Sequence, residues 1–236
     1  MIKMKGVSIL VLLGLLLGVS CISCSRFPNK INSLFKTKFY ESVALLQSTP
    51  GEKGFRGGTA TGFAIDEQHL LTAGHFCEAT MQLNKKGMVG KKILIVRSNS
   101  RGLPRIPILG SIVKHNKKRD ICIIKSSDHE MEAIPLAGSV SELRTEDIVT
   151  VVGAPNGFFP VRRDGRIIST LAYRFQQFND MLFIAVNIQA GNSGSPVIMN
   201  GEVIGMIVIQ PLTIHETALA VPVDEIKEFI NKTIAK

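Results

Sequence analysis

The hexapeptide Gly191-Asn192-Ser193-Gly194-Ser195-Pro196 holds a serine between glycines, and the apolar runs Met181 to Ile188 and Val203 to Ile209 lie on either side of it. Such runs read as strands, and the hexapeptide as a tight loop between them. Glycines on both sides leave no side chain in the way of an incoming carbonyl and let backbone N–H groups turn towards it, as an acyl-transfer nucleophile requires. Gly/Asn/Ser clusters also form ordinary turns, so the loop alone decides nothing. A serine hydroxyl needs a base to take its proton, and the base needs a carboxylate to fix its tautomer. Leu71-Thr72-Ala73-Gly74-His75, after the strand-like Thr59 to Ile65, supplies His75, and Arg119-Asp120-Ile121-Cys122-Ile123-Ile124 supplies Asp120. Any one of the three would more often be structural. The ordered set His75, Asp120, Ser193 points to nucleophilic catalysis. The rival order of serine, acid, histidine fails, because no aspartate lies between Ser193 and His215 and Ser195 spoils a Gly-x-Ser-x-Gly elbow.

The elements that must position these groups are short and β-rich. A first series runs Val43 to Gln47, Thr59 to Ile65, His69 to Thr72, Ile93 to Arg97, Ile106 to Val113 and Ile121 to Lys125. A second runs Asp147 to Val152, Arg166 to Ala172, Met181 to Ile188, Pro196 to Met199, Val203 to Ile209 and Ala218 to Val221. Gly/Pro/Asn/Asp clusters separate the runs, the pattern of an all-β barrel or sandwich, and two series predict two barrels joined near 128 to 145. His75 and Asp120 fall in the first series and Ser193 in the second, so the cleft between two lobes is the expected meeting place. Ile226, Phe229, Ile230 and Ile234 recur at helical spacing, with Asp224 and Glu225 near the start, which predicts a C-terminal helix over 223–234.

The stretches Thr61-Gly62-Phe63-Ala64-Ile65, Thr72-Ala73-Gly74-His75, Asp120 to Lys125 and Gly191 to Pro196 together resemble the chymotrypsin-fold serine proteases. The resemblance is closest to the bacterial HtrA-type and glutamyl endopeptidase branch. Gly201-Glu202-Val203-Ile204-Gly205 and Ala218-Leu219-Ala220-Val221-Pro222 add to the HtrA likeness. The resemblance covers residues 41 to 236 and implies an all-β fold of two six-stranded antiparallel barrels, about 41–135 and 136–222, with the C-terminal helix. With 43 residues after Ser193, it leaves out the PDZ module usual in HtrA-type proteins. It implies a serine endopeptidase that needs no metal or cofactor and takes polypeptide substrates. His75, Asp120 and Ser193 would be the triad, and the backbone N–H groups of Gly191 and Ser193 the oxyanion hole.

The same resemblance places the base of the specificity pocket near Asn187 and one wall around Met206, Ile207 and Val208. No acidic residue lies near Asn187 to pair with Lys or Arg, and Ile207 stands where glutamyl endopeptidases place a histidine. A small or medium apolar residue before the scissile bond is therefore expected. Asn192 replaces the aspartate that captures a new N-terminal amine in digestive relatives, so no activation of that kind is expected. Ser195 replaces the usual second glycine. Cys77 and Cys122 suggest either a disulfide bracing the catalytic loops or two small buried hydrophobes, and a zinc site from His75, Cys77 and Cys122 fits no usual motif. The other readings are a catalytically idle peptide-binding protein of the same fold and a phage or viral maturation protease.

Lys3 and Lys5, the apolar run Val7 to Val19 and the small residues around Cys21 and Cys24 have the layout of a secretory signal or membrane anchor over 1–24. Ser20 before Cys21 suggests a lipidated cysteine, while Gly18 departs from the usual lipoprotein pattern; lipidation, simple cleavage and a retained anchor all place the protein outside the cytoplasm, periplasmic, cell-surface or extracellular. Residues 25–40 read as a linker whose aromatics Phe27, Phe35, Phe39 and Tyr40 either pack on the domain, the plainer reading, or join an oligomer contact. The net charge of +9 is spread over Lys85-Lys86, Lys91-Lys92, Lys114 to Arg119 and Arg162-Arg163, and the chain has no Trp and two Tyr. Without interleaved aromatics no nucleic acid is expected as a partner; solvated loops, or attraction to an anionic membrane or wall polymer, account for the charge.

Overall fold

The structure is a computed structural model and describes residues 39–52, 54, 57–170, 180–209 and 216–234. Cys21 and the signal or anchor expected over 1–24 lie outside the described residues, as does most of the expected linker. Two closed six-stranded antiparallel barrels make up the fold. The first joins β1 (Val43–Pro50), β2 (Thr59–Ala64), β3 (His69–Ala73), β6 (Ile121–Ser126), β5 (Ile108–Asn116) and β4 (Val89–Arg97). The second joins β10 (Pro196–Met199), β11 (Glu202–Ile209), β12 (Thr217–Pro222), β9 (Leu182–Ala185), β8 (Val161–Ser169) and β7 (Ile148–Gly153). Helix α1 (Gly74–Lys85) follows β3, and helix α2 (Val223–Thr233) follows β12.

Burial explains why several strands read as unbroken apolar runs. Along β6, Cys122 and Ile124 point into the first barrel, whereas Ile121 and Ile123 join the core between the barrels. Along β11, Ile204 and Ile207 fill the second barrel, and Val203, Met206 and Val208 face the first. A strand buried on both faces has no polar side to alternate with. Strand β8 faces solvent on one side and alternates accordingly. The inter-barrel core is closed by Ile226 and Phe229 of α2, and Phe39 and Tyr40 pack against it.

Helix α1 was not among the expected elements. Its start carries none of the usual signals: Ala73 at the N-cap makes no side-chain hydrogen bond and no acid lies in the first turn. The linking stretch 127–147 is irregular but anchored, with Ile134 N–H donating to the Ala64 carbonyl and Leu136 bridging to Val203 of β11.

Candidate active site

Asp120 ends the turn between β5 and β6 with a positive φ of 52°, in the left-handed region that aspartate tolerates better than most residues. The strand alternation therefore starts only at Ile121, and does not extend back from Cys122 to Asp120 as a simple period of two would have it. Both carboxylate oxygens of Asp120 are used on His75. Oδ1 accepts the backbone N–H of His75 at 2.6 Å, and Oδ2 meets the ring Nδ1 at 2.8 Å. The first bond caps an orphan N–H in the opening turn of α1, so a distant aspartate supplies the cap that the local sequence lacks. The second holds Nδ1 as the protonated nitrogen of the neutral ring and leaves Nε2 free to accept a proton. Asp120 is buried while the His75 side chain is half exposed, which suits a fixed anion beside a ring that must reach substrate. The Asp120 hydrogen bond raises the His75 pKa above its ordinary value, against an opposing effect of burial.

The 191–196 loop is shaped from both barrels. Asn156 N–H donates to the Ala190 carbonyl at 2.6 Å, and because a trans peptide points its C=O and N–H in opposite directions, Gly191 N–H faces the other way. Asn192 N–H donates to Gln189 O, Gly194 N–H to Ile207 O and Ser195 N–H to Asn192 O. The N–H groups of Gly191 and Ser193 have no such partner among the described residues, a pair of unused donors beside the Ser193 hydroxyl. Glycine is required at 191: φ is +95°, and a Cβ would lie 2.2 Å from the Ala154 carbonyl oxygen.

Thr61 of β2 holds this loop across the barrel interface, a role the sequence did not disclose. Its Oγ1 donates to the Gly191 carbonyl at 2.7 Å and accepts Ala154 N–H at 3.0 Å, while its own N–H donates to the Ser193 carbonyl at 2.8 Å. Thr72 Oγ1 in turn donates to the Thr61 carbonyl at 2.6 Å. The available signal was a pair of threonines at strand positions that the apolar pattern puts inside; both are fully buried.

Ser193 and Ser195 differ sharply. Ser193 is partly exposed, and its Oγ donates to the Val208 carbonyl at 3.4 Å. The Ser195 hydroxyl is fully buried with no hydrogen-bond partner among the described residues, as is Asn192 Nδ2. Gly153 makes room for it: a Cβ there would sit 2.2 Å from Ser195 Oγ. Cys77 of α1 and Cys122 of β6 are joined as a disulfide, which removes both sulfurs as thiolate ligands for a metal.

The matched family model is the trypsin-like peptidase domain, over residues 60–206. The chain belongs to the trypsin-like peptidase family. Among solved structures, this peptidase is similar to Deg5 (19% identity, TM-score 0.70, covering 88% of this chain and 96% of that one). It is also similar to the active form of the Rv3671c protease from M. tuberculosis (19%, 0.69, 89% and 88%) and to the HtrA-type protease AlgW with a tripeptide (20%, 0.68, 85% and 62%). Identities this low carry the fold, and with the family match they support a serine protease. No curated protein sequence matches the chain.

The residues expected to wall the specificity pocket of this trypsin-like peptidase lie deep in the fold. Met206 and Ile207 are fully buried, one between the barrels and one inside the second, and Val208 is buried as well. Their side chains offer a substrate no surface; what β11 presents is the Val208 carbonyl. Asn187 is exposed and lies on a depression of about 480 Å³ that it shares with Ile148, Asp164, Arg166 and Glu216. Pairing of Thr217 in β12 with Ala185 in β9 brings Glu216 there, so an acid does lie near Asn187 in space although none does in sequence.

Proposed function

We propose that this trypsin-like peptidase is an exported, membrane-tethered serine endopeptidase whose triad is His75, Asp120 and Ser193. The observation that carries the reading is the double use of the Asp120 carboxylate on His75, together with the N–H groups of Gly191 and Ser193, which make no backbone hydrogen bond among the described residues. A χ1 rotation releases Ser193 Oγ from its long bond to Val208 O and turns it to His75 Nε2. Ser193 Oγ then attacks the scissile carbonyl as Nε2 takes the hydroxyl proton, and the C=O electron pair collapses onto an oxyanion held by Gly191 and Ser193 N–H. Each such donor contributes about 3 to 4 kcal/mol to the transition state. Imidazolium Nε2–H protonates the leaving amine, the C–N bond breaks, and a water repeats the cycle on the acyl-enzyme. Val208 O is left to accept an N–H from an extended substrate strand. The chemistry needs no metal or cofactor.

Intact-mass labelling with a fluorophosphonate tests this without knowledge of a substrate. One adduct is expected in wild type and Ser195→Ala and none in Ser193→Ala. A folded wild-type protein that takes no adduct would overturn catalysis in favour of the second reading, an idle peptide-binding relative, which the Ser193–Val208 contact favours. For specificity we propose a small or medium apolar residue before the scissile bond; dominant cleavage after Lys or Arg in a peptide library would overturn this and point to Glu216.

A further inference from the structure

The outer face of the first barrel along β4, β5 and the loop before β5 is both apolar and basic. Among the described residues seven large apolar side chains are exposed, and four of them, Leu103, Ile106, Leu109 and Val113, lie within one stretch of eleven residues. Clustering of this kind is how interaction surfaces differ from scattered exposed apolar residues. Leu109 and Ser111 share the outward side of β5. Ser111 pairs with Lys125 of β6 and accepts a hydrogen bond from Lys92 Nζ at 2.8 Å, which puts Lys92 and Lys125 on the same side. Lys85, Lys91 and Lys92 line a depression of about 450 Å³ beside them, floored by Met81 and Ile112. None of Lys85, Lys91, Lys92 and Lys125 forms an ion pair among the described residues. Two nearby acids are paired, Glu41 with Arg105 at 3.3 Å and Asp128 with Arg97.

The chain enters the domain at the edge of this face. Ser98 Oγ donates to the Tyr40 carbonyl, and Glu41 pairs with Arg105 in the loop before β5. Upstream, the segment from 25 to 38 carries Arg26, Lys30, Lys36 and Lys38, and residues 1–38 contain no Asp or Glu. The fourteen residues 25–38 could span at most about 50 Å, so a tether through the 1–24 segment keeps this face within reach of the surface that holds it.

We propose that the β4–β5 face docks on an anionic phospholipid bilayer, with the four lysines at the headgroups and Leu109, Val113 and the 103–106 loop at the interface. The proposal rests on the membrane-tethered reading above. Basic side chains near an anionic leaflet attract it within a Debye length, and the tether supplies the high local concentration that makes a weak contact persist. Docking on this face would fix how the peptidase is oriented relative to membrane-bound substrates.

The chain has no Trp, so a single Leu109→Trp reports on this face and Ile148→Trp on the second barrel. Full-length protein is reconstituted with brominated phosphatidylglycerol or brominated phosphatidylcholine vesicles. Flotation reads the tether and fluorescence quenching reads the face. Quenching of Leu109→Trp at least threefold stronger than of Ile148→Trp is expected in phosphatidylglycerol only. It should be abolished by 1 M salt and by Lys91→Glu/Lys92→Glu/Lys125→Glu, with flotation retained and fluorophosphonate labelling unchanged. Flotation with equal quenching at both positions, or none at Leu109→Trp, overturns the docking face and leaves the tether standing. Failure to float overturns the tether, and the proposal with it.

Discussion

At the scale of single residues, one carboxylate sets the protonation of His75, the proposed base. Asp120 raises the His75 pKa, so the imidazole loses its proton only above its ordinary value of 6.5. Catalysis by neutral His75 should therefore rise with pH along a limb whose midpoint lies above 6.5. Stability runs the other way: a raised folded pKa contributes stability fully below the unfolded value, and that contribution is lost as pH rises through the folded one. Asp120→Asn should move the acidic limb of kcat/KM down and lower kcat on the order of 10⁴-fold. An unshifted limb would separate Asp120 from His75 function. Thr61 acts at one remove, through the Gly191 carbonyl. Thr61→Val keeps the shape but strips the hydroxyl, leaving Gly191 O and Ala154 N–H buried without partners at a cost of about 1–3 kcal/mol. A fall in kcat of about 10- to 100-fold with KM little changed is expected, at or below the roughly 10²- to 10³-fold lost when a single oxyanion donor is removed. Thr61→Ser should restore most of it; a loss shared equally by kcat and KM, unrescued by serine, would mark Thr61 as merely structural.

At the scale of elements, the site depends on contacts that tie its loops to helices. Arg119, next to Asp120, reaches α2 through Glu225 at 2.8 Å and Glu228 at 2.7 Å, so the terminal helix steadies the turn that aims the carboxylate. Arg119 and then Lys232 hold the Glu228 pKa down to about 2. A depressed carboxylate contributes stability above its ordinary value of 4.5, and the contribution fades as pH falls from there towards 2. Arg119→Ala should flatten that acid limb and reduce kcat severalfold by loosening Asp120. Identical acid unfolding of variant and wild type would remove α2 from this account. The disulfide spans a sequence separation of 45 and joins α1, which carries His75, to β6, which Asp120 immediately precedes. Cys77→Ala/Cys122→Ala should lower stability by about 2 to 4 kcal/mol, read from denaturant midpoints at constant slope.

At the scale of the whole molecule, legibility followed periodicity. The strand series and the two-barrel division could be read because β-branched and turn residues mark them, and α2 because its apolar stripe and acidic first turn are local signals. Helix α1 was silent because its cap comes from Asp120, 45 residues away. Glu216 beside Asn187 and the burial of Met206 and Ile207 depend on how strands pair, which no local pattern records. The sequence holds the ordered set His75, Asp120, Ser193 proposed as the triad, but not how these residues are held, because Thr61, Thr72 and Gly153 act only through contacts made when the barrels meet. That meeting is itself testable. Phe63 is fully buried in the core between the barrel that carries His75 and Asp120 and the barrel that carries Ser193. Ile184 is as deeply buried, but inside the second barrel alone. Phe63→Ala should cost about 3 to 5 kcal/mol and Ile184→Ala about 2 to 5 kcal/mol. In the fraction that stays folded, Phe63→Ala should also slow fluorophosphonate labelling at least tenfold, since a shift of about an ångström between catalytic groups costs that much or more. Ile184→Ala should leave the folded fraction labelling normally. Equal labelling rates in the two variants would mean that each barrel holds its share of the site without help from the packing between them.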